Sequence, residues 1–153
     1  MHSALSLLSI DVDHFKALND SEGHQKGDEY LMLLGAELTR LCKRQTDLAA
    51  RCGGEEFAIV LPDTDAADAH PFAESVRQAI EALNLPHPTS SVSPFLTVSV
   101  GVATVTWECA FTREALVAAA DRALYSAKKA GRNQVCVAQC EDEPWYSSVA
   151  ARC

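Results

Sequence analysis

Two acidic pairs stand beside apolar runs in this chain, Asp11-Val12-Asp13 after the first and Glu55-Glu56 before a later one. Carboxylates brought together from two strand ends are hard oxygen donors. Mg²⁺ takes such ligands, usually one or two carboxylates, and shares the rest of its octahedral shell with phosphates and water. Asp11 and Glu55 suit the side-chain ligands and Val12 a backbone carbonyl; two metal ions so placed would clamp the attacking and leaving oxygens of an in-line phosphoryl displacement. Backbone amides in the turn His14-Phe15 and the ammonium of Lys16 suit phosphate oxygens. Lys128 and Arg132, four apart at a helix end, add a second cationic pair. Each of these residues also has a plainer reading. Lys128 and Arg132 complement a helix dipole, Asp28 is an acid near a helix start, and Asn19 is a turn former. Asp13 and Glu56 support ligands instead of being ligands, and His24 is a hydrogen-bonded structural residue.

For the two acid pairs to meet, their strands must lie in one sheet. Residues 48–52 and 57–61 are apolar runs around Gly53-Gly54, which tolerate positive φ, so 48–61 is expected to be a hairpin with Glu55 and Glu56 at its tip. Residues 4–10 are apolar on both faces, as in a central strand covered on both sides. After a polar turn at Gly23-His24, Gly27-Asp28 precede a helix whose Leu31, Leu34, Leu38, Leu41 and Cys42 share one face. Residues 62–65 offer N-caps for a second helix with Ala69, Ala73, Val76, Ile80 and Leu83 on one side. Three prolines make 86–94 a loop, and 95–103 alternates as a strand with one face on the core. Thr112 opens a last helix with Leu116, Ala120, Ala123 and Ala127 inward, Gly131 stops it, and 134–138 is a short strand. The order implies an α+β fold with a mostly antiparallel central sheet flanked by helices.

Composition narrows the chemistry. At 153 residues and 48% hydrophobic content the chain suits one packed domain. Its net charge of −8 disfavours nucleic acid and anionic membrane as partners, so a polyphosphate ligand needs a local basic patch and metal. The six cysteines have no metal-site spacing and are expected to be reduced thiols. No run reaches membrane-spanning length and no signal peptide is present, which points to a cytoplasmic chain. A core strand beginning at residue 4 suggests a piece of a longer polypeptide, and 139–153 is acidic and aperiodic, expected to be a weakly ordered tail after a domain at 1–138.

The motifs Asp-Val-Asp-His-Phe-Lys at 11–16, Asn19-Asp20, Gly23-His24, Gly27-Asp28, Gly-Gly-Glu-Glu-Phe at 53–57, Ser99-Val100-Gly101-Val102, and Ala120-Asp121 through Gly131-Arg132-Asn133 fall in one order over about residues 4–138. In this the chain resembles the GGDEF domain, the diguanylate cyclase family. The resemblance implies a ferredoxin-like core similar to class III adenylyl cyclases and the polymerase palm. The implied reaction condenses two GTP into cyclic di-GMP and two pyrophosphates, in a homodimer with one GTP per domain, in bacterial signalling. It assigns the metals, two Mg²⁺ per site with Mn²⁺ able to substitute, to Asp11, Val12 and Glu55. Glu55 helps deprotonate the attacking hydroxyl, grouped with Glu56 and Lys16 as catalytic. Asn19 and Asp28 go to the guanine edge and Leu31 to the base pocket. His14, Phe15, Lys16, Lys128 and Arg132 go to the phosphates, and Arg51 to charge near the turn. Arg44-Gln45-Thr46-Asp47 fits the family's Arg-x-x-Asp inhibitory site, where product binding stops turnover; the plainer reading is that Arg44 caps a helix and Asp47 starts a strand.

The chain departs from the pattern in three places. Glu55 stands where the name-giving motif has Asp, a variant active members carry; Cys52 replaces an aromatic; and the family's usual helix and Asp-x-Leu-Thr-Gly-Leu-x-Asn-Arg-type segment before the first strand is absent, which takes cover from the sheet. An upstream sensor or receiver would ordinarily precede the domain and can attach it to a membrane. Two other readings remain. A catalytically silent receptor for cyclic di-GMP or GTP would be expected to lose hairpin or metal acids, which this chain keeps, and a nucleic-acid polymerase would need a basic face.

Overall fold

The structure, a computed structural model, describes residues 4–108 and 111–138; the tail at 139–153 lies outside the described residues. Strand β1 (Ala4–Val12) is followed by helices α1 (Phe15–Glu22) and α2 (His24–Leu41), the hairpin β2 (Leu48–Gly53) and β3 (Glu56–Pro62), helix α3 (Ala66–Glu81), strand β4 (Val98–Thr106), helix α4 (Arg113–Lys129) and strand β5 (Val135–Val137). The sheet runs β2-β3-β1-β4-β5, antiparallel except for the β4–β5 pair. The all-apolar run at 4–10 is therefore the middle strand, as its two-sided hydrophobicity requires.

Side chains alternate across β1. Leu8, Ile10 and Val12 enter the larger core with Leu31, Leu34 and Leu38 of α2 and Val76 and Ile80 of α3. Leu7 joins the smaller core under α4 with Leu116, Ala119 and Ala120. Fully burying each large aliphatic residue contributes about 1.5–3 kcal/mol. Caps hold the helix starts: Asp65 accepts from the Asp68 amide at 2.9 Å and Thr112 from the Ala115 amide at 3.0 Å.

Three sequence expectations are corrected and one helix is added; the first correction is that neither Gly53 nor Gly54 takes a positive φ, the hairpin turn falling at Gly54-Glu55. Residues 15–22 form helix α1, which a short polar stretch with few apolar residues did not signal, and α2 begins at His24, ahead of Gly27-Asp28. Strand β4 runs to Thr106 and is buried on both faces, because α4 lies across Gly101 so closely that a Cβ there would sit 2.2 Å from the Ala120 carbonyl oxygen. Thr97 and Ser99, expected to face outward, are thereby enclosed.

Candidate active site

The antiparallel register sets Asp11 of β1 directly opposite Glu56 of β3, and the Val12 amide donates to the Glu55 carbonyl at 3.2 Å. The hairpin turn Gly54-Glu55 lies at this sheet end, just after a bulge between Arg51 and Gly53, and the Arg51 guanidinium fastens it by donating to the Gly54 carbonyl at 2.9 Å. Asp11 is buried, and Lys128 from the last turn of α4 ion-pairs with it. Burial pushes the Asp11 carboxyl above its usual range; Lys128 pulls it down by hydrogen bond and charge, and Glu55 and Glu56 push it up again. One ammonium thus faces three carboxylates.

Such a donor set fits a divalent cation, which would relieve the like-charge crowding. Among the described residues no three His, Cys, Asp or Glu side chains form a ready-made metal cage. Two carboxylates and a main-chain oxygen leave the rest of the shell to phosphate and water, the usual state of protein-bound Mg²⁺.

Asp13, two residues on, is a different kind of acid. It is 2% exposed and fully engaged: its carboxylate accepts from Thr97 Oγ1 at 2.7 Å, Ser99 Oγ at 2.6 Å and the Asn133 amide at 3.0 Å. It joins the end of β1 to β4 and to the turn after α4 that carries Arg132. The plainer reading of Asp13, as a support for its neighbours, agrees with this geometry. Thr97 and Ser99 were not singled out as its partners; two hydroxyls at alternate positions of an otherwise apolar strand were the available signal.

His14 caps α1 in the left-handed region, φ 54°, and its carbonyl accepts from His87 Nε2 at 2.9 Å. His87 is completely buried in the 86–94 loop, so that loop grips the turn ahead of Phe15. Lys16 points to solvent and, among the described residues, pairs only with Asp20, at 3.0 Å. Asn19 lies against Gly27, where a Cβ would stand 2.0 Å from Asn19 Oδ1, so residue 19 and the 27–28 step come side by side. The Asn19 oxygen is buried with no hydrogen-bond partner among the described residues, while Asp28 is exposed beside it. Buried amide oxygens nearly always have partners in protein or water, so this one is open to a water molecule or a ligand. Leu31 lies one turn further along α2 and borders a groove of about 330 Å³ against Ala49, Arg51 and Phe57.

Arg44 and Asp47 come together elsewhere, in a hollow of about 200 Å³ beside the start of α3. Arg44 Nε donates to Asp47 at 3.0 Å, and one terminal nitrogen donates to Thr64 Oγ1 at 2.7 Å and to the Pro62 carbonyl at 2.9 Å. Arg44 therefore ties the loop before β2 to the end of β3, which is more than the helix cap of the plainer reading.

Comparison with known proteins identifies the family and the fold. The family model described as "Diguanylate cyclase, GGDEF domain" matches residues 1–134. A Treponema denticola protein named diguanylate cyclase A is 38% identical over 131 residues, 86% of this chain and 34% of its own length. The crystallised GGDEF domain of DgcB from Caulobacter crescentus, in complex with c-di-GMP, superposes with a TM-score of 0.79 at 33% identity, covering 89% of this chain and 78% of that one. The active GGEEF domain of a Vibrio cholerae diguanylate cyclase gives a TM-score of 0.76 at 34% identity, with 89% and 83% covered. The chain spans about a third of the length of the Treponema relative.

Proposed function

Because the chain belongs to the GGDEF family, the diguanylate cyclases, we propose that residues 1–138 form a diguanylate cyclase domain that joins two GTP into cyclic di-GMP and releases two pyrophosphates. The observation that carries this reading is the register of Asp11 against Glu56 at the hairpin, with Glu55 beside it and Lys128 ion-paired to Asp11. In each of two equivalent steps a ribose hydroxyl oxygen of one GTP bonds to the α-phosphorus of the other. Pyrophosphate leaves as the P–O bond breaks, and the hydroxyl proton passes to Glu55. Two domains must face each other, because each holds one GTP.

Asn19 and Asp28 bind the guanine edge: Asp28 accepts from the ring N–H and amino group, a pattern adenine lacks, and Leu31 packs on the base. The amides of His14 and Phe15, with Lys16, Lys128 and Arg132, hold the triphosphate, and Arg51 keeps the turn in place. Two Mg²⁺, or Mn²⁺ in their place, held by Asp11, the Val12 carbonyl and Glu55, would supply positive charge against the phosphates and the developing alkoxide. Glu56, opposite Asp11, completes the acidic rim. Cyclic di-GMP bound at Arg44 and Asp47 inhibits turnover, and an upstream sensor or receiver in the longer protein sets the rate at which domains pair.

A cytoplasmic location is part of the proposal; among the described residues no helix is long and apolar enough to cross a membrane. The test is incubation with GTP and Mg²⁺ followed by chromatography. Cyclic di-GMP is expected, and a folded, paired domain that binds GTP but makes none would be a receptor.

A further inference from the structure

The turn between α4 and β5 holds three successive residues at positive φ: Gly131 at 123°, Arg132 at 66° and Asn133 at 47°. For glycine this is free, but a residue with a Cβ is strained there by about 1–2 kcal/mol. Something must hold Arg132 and Asn133 in place, and the contacts are on hand. The Asn133 amide donates to Asp13, its side-chain oxygen accepts from Arg77 at 3.0 Å, and its side-chain nitrogen donates to Glu81 at 3.2 Å. Arg77 and Glu81, themselves ion-paired at 3.0 Å, come from α3. An asparagine chosen only for its tolerance of left-handed backbone would leave its amide in water. This one bonds through its backbone N–H and through both the oxygen and the nitrogen of its side chain.

The residue it follows is free by contrast. Among the described residues the Arg132 guanidinium takes no hydrogen bond or ion pair, so the turn's backbone decides where it points. We propose that Asn133, clamped by Arg77 and Glu81, is a positioning residue that aims Arg132 at the phosphates beyond the first on the nucleotide. The proposal rests on the nucleotide-binding reading above. It also ties the metal-binding strand end to the phosphate contact, since the carboxylate that holds the Asn133 amide lies two residues from Asp11.

The experiment measures binding of a non-hydrolysable GTP analogue and of GMP, each with Mg²⁺, to the wild-type chain and to Asn133→Ala, Asn133→Gly, Arg132→Ala and the double variant Asn133→Ala/Arg132→Ala. Removing the clamp should weaken the GTP analogue about tenfold and leave GMP within about twofold, because only the triphosphate reaches Arg132. Asn133→Gly, which tolerates these backbone angles but is no longer held in them once the side-chain amide is gone, should behave as Asn133→Ala does. The double variant should bind no more weakly than Arg132→Ala alone, since the two residues act as one unit. Equal losses for both nucleotides, full additivity, or wild-type affinity in Asn133→Gly would overturn the proposal. If Asn133→Ala does not fold, Arg77→Met removes one anchor from the far side and should give the same selective loss in smaller measure. A wild-type chain that binds neither nucleotide rejects the nucleotide reading itself, a result distinct from any of these.

Discussion

The end of the sheet around Asp11 and the hollow around Arg44 are built on opposite electrostatic plans. At the first, three carboxylates share one ammonium, the Asp11 carboxyl is pushed up by burial, and both the Asn19 oxygen and the Arg132 guanidinium are unspent. At the second, the guanidinium already has Asp47, Thr64 and the Pro62 carbonyl. A site left short of countercharge gains from binding a cation and a polyphosphate. A satisfied site must exchange existing hydrogen bonds, each worth about 0.5–1.5 kcal/mol net, for those of its ligand. The difference suits substrate capture at one place and a weaker, concentration-set brake at the other.

Glu55→Gln tests the poised end most severely. Glu55 supports no neighbour through its side chain among the described residues, so the fold should persist and GTP should still bind. Turnover should fall by about 10²–10⁴, the range lost with a positioned base. A variant that keeps a tenth of wild-type turnover would show the acid to be dispensable.

Asp13→Ala, only two residues from Asp11, should instead act on the fold. It strips partners from two buried hydroxyls and one amide, and at about 1–3 kcal/mol for a buried group left unpaired a loss near 3 kcal/mol is expected in urea unfolding. A loss under 1 kcal/mol would place Asp13 with the unspent acids after all.

Arg44→Ala probes the satisfied hollow. The concentration of cyclic di-GMP needed for half inhibition should rise about tenfold, by the loss of a charged contact worth about 1.5 kcal/mol or more, while uninhibited turnover stays as it was. Unchanged inhibition would remove the regulatory role and leave only a structural tie.

The mildest effect concerns pH in the presence of a chelator. A carboxyl raised in the folded state binds more protons folded than unfolded, so its contribution to stability falls as pH climbs from the unfolded value of about 3.8 through the folded one. Above that window the ionised Asp11 is a burden. Asp11→Asn should therefore raise the melting temperature relative to wild type more at pH 7 than at pH 4; a gain that is equal at both would mean that Lys128 already cancels the crowding.

Much of this was legible in the residues. The two-faced apolar run at 4–10 had to be central, a hairpin had to form over 48–61, and strand-end acids had to meet if their strands were neighbours; the turn itself falls one residue later than expected, at Gly54-Glu55, with neither Gly53 nor Gly54 at positive φ. Less visible was whatever depends on packing between distant elements. Helix α1 is too short and polar to announce itself; its two buried residues, Phe15 and Leu18, are fixed by tertiary contact. The enclosure of Thr97 and Ser99 follows from α4 crossing at Gly101, a close approach that strand alternation does not encode. The spacing that pairs Arg44 with Asp47 was visible, but the Thr64 and Pro62 contacts that satisfy it come from the end of β3 and the turn after it, eighteen to twenty residues away.

The central claim is that the Asp11 and Glu55 carboxylates take up Mg²⁺ together with GTP and turn it over. Titrating Mg²⁺ into the paired domain with saturating GTP, and following cyclic di-GMP by chromatography, tests it directly. Product should form only with the metal and vanish in Asp11→Ala; product made without divalent metal, or made as well by Asp11→Ala, would contradict it.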